Sequence, residues 1–110
     1  MKIISFNINS IRARPHQVEA IVKKHKPDAI GLQETKVHDD DFPFEIPESL
    51  GYKAHIHGQK GHYGVALLTK DEPIDIKKGF ETDTDESQKR FISVTLKKGR
   101  KKIHILNGYF

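Results

Sequence analysis

The chain has 110 residues, with 19 lysines and arginines against 15 aspartates and glutamates, a formal net charge of +4 and a pI near 9.3. This length suits about one domain, and the basic balance favours polyanionic partners such as nucleic acid. The lack of cysteine excludes disulfides, cysteine-ligated zinc and thiol catalysis. No segment approaches the roughly 18 apolar residues of a membrane span, and the N-terminus lacks the apolar stretch of a signal peptide. We therefore expect a soluble, cytoplasmic protein.

The start of the chain predicts a strand, a helix and a second strand. Apolar side chains alternate in residues 2–8, recur at helical spacing in residues 15–26 between two prolines, and run together in residues 28–33. A unit of this kind has a right-handed crossover and parallel strands. Both strands then end at one edge of the sheet, where α/β folds usually bind their ligands.

Polar side chains stand at both of these strand ends. Asn7 ends the first strand, and Glu34 directly follows the second. Mg²⁺ prefers oxygen ligands and is usually held by one or two carboxylates plus substrate phosphates, a role that suits Glu34. In an extended chain Lys36 would share a side with Glu34 and could orient it as an ion pair. The plainer alternatives are a solvated carboxylate, a surface lysine and an amide that bonds its own turn.

The rest of the chain predicts more strands, joined by charged loops. A short helix is expected near Glu48, and Lys97–Lys101 predicts a hairpin turn. The strand candidates are residues 52–57, 64–69, 74–78, 90–96 and 102–109. We find no repeat and no internal boundary. We expect an α/β fold, with a mixed β-sheet and a covering helix in one domain over residues 1–110.

Two clusters invite a metal interpretation that their chemistry does not favour. Catalytic zinc needs three convergent ligands, and we expect no zinc site at His55, His57 and His62, which have no matched acid nearby. The consecutive acids of Asp39–Asp41 diverge in direction, which indicates a solvated loop.

Five segments together resemble the exodeoxyribonuclease III family of AP endonucleases, within the endonuclease/exonuclease/phosphatase superfamily. They are Ser5–Asn9, Ile11–Pro15, Leu32–Lys36, His57–Ala66 and Asn107–Phe110, and they occur in the family's order. The resemblance implies an αββα sandwich of two packed mixed sheets. This chain would be its N-terminal half and would form one sheet with its covering helix. The implied reaction is Mg²⁺-dependent phosphodiester hydrolysis in duplex DNA, at 3′ ends and beside abasic sites, with Mn²⁺ as an alternative cofactor.

The same resemblance assigns roles to six side chains. It implies catalytic roles for Asn7 and Tyr109, a metal ligand at Glu34, a supporting role for Lys36, and DNA contacts for Arg90 and Lys60. For Tyr109 the alternative is a core tyrosine near the chain end, and for Lys60 it is a plain surface loop.

The later motifs of the family are absent from these 110 residues: an Asp-x-Asn pair, a further acidic residue and a terminal Ser-Asp-His. We therefore expect a DNA-repair nuclease fragment that is inactive or weak alone and that a complementary C-terminal half would complete. The alternative is a noncatalytic half-domain that forms homo-oligomers through an exposed sheet face or binds DNA weakly. A second alternative is a phosphomonoesterase or lipid phosphodiesterase of the same superfamily.

Overall fold

A computed structural model describes residues 1–84 and 87–109. It contains helices α1 (Pro15–His25) and α2 (Glu45–Ser49), a 3-10 turn (Asp39–Asp41) and seven strands. The strands are β1 (Ile3–Asn7), β2 (Ala29–Gln33), β3 (Lys53–His57), β4 (Val65–Thr69), β5 (Asp75–Lys78), β6 (Phe91–Lys98) and β7 (Lys101–Gly108). The predicted strands and helices are confirmed, with small shifts at their ends. Among the described residues, no helix is long and apolar enough to cross a membrane.

The strands divide between two sheets. The first sheet has the order β1-β2-β4-β3, in which β1 and β2 are parallel, as predicted, and the other pairs are antiparallel. The second sheet has the order β5-β6-β7 and is antiparallel throughout. The expectation that the chain forms one sheet was therefore wrong. Strands that alternate apolar and polar residues have one face to bury, and β6 and β7 bury theirs against the first sheet.

The central strands of the first sheet are covered on both faces. Every residue of β2 and of β4 is buried. One face packs with Val18 of α1 and with the segments after β1 and β2 in a first core cluster. The other face packs on β6 and β7 in a second cluster. The fold is thus a mixed α/β arrangement with a helical layer and two stacked sheets.

A buried amide joins the two sheets. Asn107 of β7 donates hydrogen bonds from Nδ2 to the carbonyl oxygens of Leu32 (2.9 Å) and Ala66 (2.8 Å) in the first sheet. Its Oδ1 accepts a hydrogen bond from Gln33 Nε2 at 2.7 Å. A Cβ atom on Gly31 would lie 3.1 Å from Cγ and Oδ1 of Asn107. The glycine therefore provides the space in which the amide sits.

We predict that Gly31→Ala destabilises the protein through this contact. Overpacking of a filled core typically costs about 1–3 kcal/mol, and the Asn107 amide cannot move without breaking its hydrogen bonds. In an Asn107→Ala background the added methyl group has room, so its cost should largely disappear. Urea unfolding of the wild type, both single variants and the double variant measures this coupling. An equal loss of stability in the two backgrounds would show that the contact does not limit packing.

Candidate active site

Three of the predicted site residues meet at one carboxylate. Tyr109, just after β7, donates its hydroxyl to Glu34 Oε1 at 2.9 Å. The side chain of Asn7, at the end of β1, lies near enough to act on the same carboxyl group. Asn7, followed by the Tyr109 hydrogen bond, lowers the pKa of Glu34, and these effects outweigh the opposing desolvation. Glu34 is therefore an ionised carboxylate at neutral pH, and the phenol of Tyr109, whose pKa the same bond raises, keeps its proton.

The backbone around Glu34 is strained. Positive φ is uncommon outside glycine, yet five non-glycine residues adopt it here: Asn9 (φ 48°), Ser10 (φ 82°), Glu34 (φ 57°), Lys36 (φ 56°) and Tyr63 (φ 59°). The one other such residue in the described part of the chain is Lys26, at the end of α1. Strained residues of this kind concentrate at functional sites, where the surrounding structure holds them in place.

Backbone hydrogen bonds hold the strained segment after β2 from both sides. Ser10 N, in the loop after β1, donates to Glu34 O at 2.8 Å. From the loop before β4, the carbonyl oxygens of Gly64 and Tyr63 accept bonds from Thr35 N (3.1 Å) and Lys36 N (3.0 Å). Neighbouring loops therefore fix the backbone that carries the Glu34 side chain.

Lys36 lies at the site in a different way from the one predicted. The geometry of an extended chain does not apply, because β2 ends at Gln33 and both Glu34 and Lys36 have positive φ. Lys36 Nζ donates to Asn9 Oδ1 at 2.6 Å, and its charge is the weakest of the influences that lower the pKa of Glu34. Asn9 has the positive φ of a turn residue, and nothing in the sequence indicates its bond to Lys36.

The two predicted DNA contacts differ in their relation to Glu34. The guanidinium carbon of Arg90 lies 4.6 Å from the ring centre of Tyr63 and 5.3 Å from that of Tyr109. Lys60 is exposed in the loop between β3 and β4, and no hydrogen bond or ion pair joins it to the described residues around Glu34. The structure thus brings Arg90 to the site and leaves Lys60 at its margin. Tyr63, which carries no strong sequence signal, is an additional member of the site.

The donor set at Glu34 suits a hard cation. The described residues contain no group of three histidine or acidic side chains able to hold a metal ion by themselves. His55, considered above for zinc, is buried and its Nε2 bonds Thr69 Oγ1 at 2.9 Å. A single ionised carboxylate among neutral oxygen and amide groups fits Mg²⁺, which is commonly held by one or two carboxylates and completes its shell with water and substrate phosphates.

Known proteins resemble this chain in sequence and in fold. Residues 4–100 match the endonuclease/exonuclease/phosphatase family. The whole chain is 60% identical to exodeoxyribonuclease III of Haemophilus influenzae and covers 41% of that protein. A 3′-5′ exonuclease from Neisseria meningitidis superposes with a TM-score of 0.86 at 33% identity, over 99% of this chain and 41% of that one.

An AP endonuclease from Archaeoglobus fulgidus superposes with a TM-score of 0.87 at 37% identity, over 99% of this chain and 40% of that one. The chain therefore spans about two fifths of the length of these relatives. The resemblance drawn from the five sequence segments is confirmed: the chain belongs to the endonuclease/exonuclease/phosphatase family.

Proposed function

We propose that this chain is the N-terminal part of a DNA-repair nuclease and supplies one portion of its active site. The observation that carries the proposal is the convergence of Asn7 and Tyr109 on the Glu34 carboxylate, with 2.9 Å between Tyr109 Oη and Glu34 Oε1. The substrate that we propose is duplex DNA with 3′ ends or abasic sites. The names of two relatives, exodeoxyribonuclease III and AP endonuclease, support this choice. We take residues 1–110 as one domain and propose a cytoplasmic location.

In this proposal each side chain acts on a phosphodiester group. Glu34 would hold Mg²⁺, or Mn²⁺ in its place, and the bound ion would stabilise negative charge on the phosphate and the departing oxygen. The Tyr109 hydroxyl can donate to a phosphate oxygen, and the Asn7 amide can orient a water molecule or the phosphate through its donor and acceptor atoms. We assign the base that activates water to the part of the relatives that this chain does not span.

Positive side chains around Glu34 would bind the DNA backbone. Lys60 is exposed and free to meet a phosphate, and Arg90 keeps guanidinium N–H groups beyond the two that it uses within the protein. Lys36 is bonded to Asn9, and its charge adds to the attraction for a polyanion. Contacts of this kind give affinity without sequence preference.

We predict that Glu34→Gln abolishes the stabilisation that Mg²⁺ gives to the folded chain. The amide is isosteric and keeps an oxygen that can accept the Tyr109 hydrogen bond, so the thermal midpoint without metal should change little beside the loss of the Mg²⁺ response. A ligand that binds only the native state raises stability by mass action, about 2.7 kcal/mol at a hundredfold excess over Kd. Thermal unfolding across a Mg²⁺ titration measures the response, with exposed Glu81→Gln as the matched control. Equal responses of Glu34→Gln and wild type would exclude Glu34 as the principal ligand.

We also predict that the chain alone cleaves abasic-site duplex DNA far more slowly than a full-length relative. The missing base and acidic groups are the reason, because general acid–base catalysis alone contributes roughly 10²–10⁴-fold. Addition of a complementary C-terminal half should restore Mg²⁺-dependent cleavage, and EDTA should remove it. The measurement is product formation on a labelled duplex. Cleavage by the isolated chain at the rate of a full-length enzyme would contradict the prediction.

A second proposal, a self-associating half-domain, is favoured by apolar side chains that the two sheets leave uncovered. Leu106 on β7 is 65% exposed and Ile3 on β1 is 48% exposed. Both lie on strands at a sheet edge, and β7 pairs with β6 alone. Exposed apolar groups beside an unpaired strand edge favour association between chains.

We predict that the chain forms dimers or larger oligomers through the open edge of β7. Leu106→Lys should weaken association, because it places a charge on the exposed face and on the open edge strand. Sedimentation equilibrium over a range of concentrations measures the association constant, and the exposed substitution Glu81→Lys serves as the control. A wild-type chain that stays monomeric at high concentration would rule out this mode of association.

A further inference from the structure

Arg90 lies against two aromatic rings beside Glu34. Its guanidinium carbon is 4.6 Å from the ring centre of Tyr63 and 5.3 Å from that of Tyr109, and the two ring centres are 6.1 Å apart. The planar guanidinium group stacks well on aromatic faces, which an ammonium group does less well. The cation therefore contacts the same ring whose hydroxyl donates to Glu34.

Arg90 is itself held in place. Its Nε donates to Gln88 Oε1 at 2.5 Å, and Gln88 Nε2 donates to the hydroxyl of Tyr63 at 2.9 Å. The backbone adds a bond from Tyr109 N to Arg90 O at 2.8 Å, and Arg90 Nη1 donates to Tyr109 O at 3.5 Å. These bonds hold the guanidinium group against both rings.

Tyr109 needs such support because it lies one residue beyond the end of β7. A chain segment outside a strand is free to fray unless other contacts tie it down. The hydroxyl of Tyr109 meets Glu34 only while the ring keeps its orientation, since Glu34 follows a strand of the other sheet. The contacts with Arg90 supply that orientation from the side of the second sheet.

We propose that Arg90 is a positioning residue that, anchored by Gln88, holds the Tyr109 hydroxyl on Glu34. Its importance for phosphodiester hydrolysis rests on the function proposed above, whereas the coupling between Arg90, Tyr109 and Glu34 does not. The role differs from a contact with a DNA phosphate, because it acts before any DNA is bound. Both roles are compatible, since Arg90 retains further N–H donors.

The test uses the 110-residue chain labelled with 3-fluorotyrosine, without metal or DNA. Fluorine NMR is recorded at a pH below the range in which the fluorophenol ionises. Each of the three tyrosines gives a resonance, assigned with Tyr→Phe variants. Tyr52, whose hydroxyl bonds the Pro27 carbonyl away from the site, reports on the fold.

Glu34→Gln should shift the Tyr109 resonance in the wild-type background. In an Arg90→Gln background we expect the larger part of that shift to be lost while the Tyr52 resonance stays in place.

Two further variants separate positioning from charge. Arg90→Lys keeps the charge but lacks the planar group, so it should resemble Arg90→Gln. Gln88→Leu removes the anchor, should loosen the same coupling, and serves in place of Arg90→Gln if that variant does not fold. Arg100→Gln removes an equal charge in the hairpin, about 30 Å along β7 from Tyr109 at roughly 3.3 Å per residue, and should leave the coupling intact.

An undiminished Glu34→Gln shift in the Arg90→Gln and Gln88→Leu backgrounds would overturn the proposal. The proposal would also be overturned if the Glu34→Gln shift in the Arg90→Lys background were the same as in the wild-type background. Because no metal is present, these outcomes are independent of whether Glu34 binds Mg²⁺. The Mg²⁺ titration of Glu34→Gln described above tests that separate question.

Discussion

The position of one sheet on the other depends on the buried amide of Asn107. A buried polar group without partners is costly, and this one satisfies two backbone carbonyls in β2 and β4 and the side chain of Gln33 at once. Apolar packing between sheets is non-directional and permits one sheet to slide on the other. The amide bonds are directional, so they set the register of β7 on the first sheet. Gly31 is the residue that makes room for them.

The strained turn at Glu34 follows from this fixed framework. Left-handed non-glycine residues cost on the order of 1–3 kcal/mol each, and Glu34 and Lys36 are separated by a single residue. Their strain is offset by backbone bonds from the loops on either side and by the closed packing beneath them. The carboxylate thus holds its direction because the sheets hold its backbone, which is the preorganisation that an active site requires.

The strands and helices, and several of the residues around Glu34, could be predicted from the sequence. Asn7 and Glu34 follow parallel strands, and that arrangement depends on hydrophobic periodicity and helix length, which are local properties. The division into two sheets, the bond from Lys36 to Asn9 and the stacking of Arg90 were not predicted. Each depends on positive φ at non-glycine residues or on contacts between distant parts of the chain, and neither leaves a pattern in the sequence. Tyr109 was found through the family resemblance, since a tyrosine near a strand end has no distinct periodicity.

The site belongs to both sheets, and its geometry is therefore a property of their packing. Glu34 follows β2 in the first sheet and Tyr109 follows β7 in the second, so the 2.9 Å bond between them crosses the interface. Asn107 precedes Tyr109 by two residues and fixes the end of β7 just before this tyrosine. Because protein interiors are close-packed, a change of volume in the core between the sheets would move the hydroxyl relative to the carboxylate without touching either residue. A fragment that contained only the first sheet would carry Glu34 without its tyrosine, which is why the second sheet is needed even for this partial site.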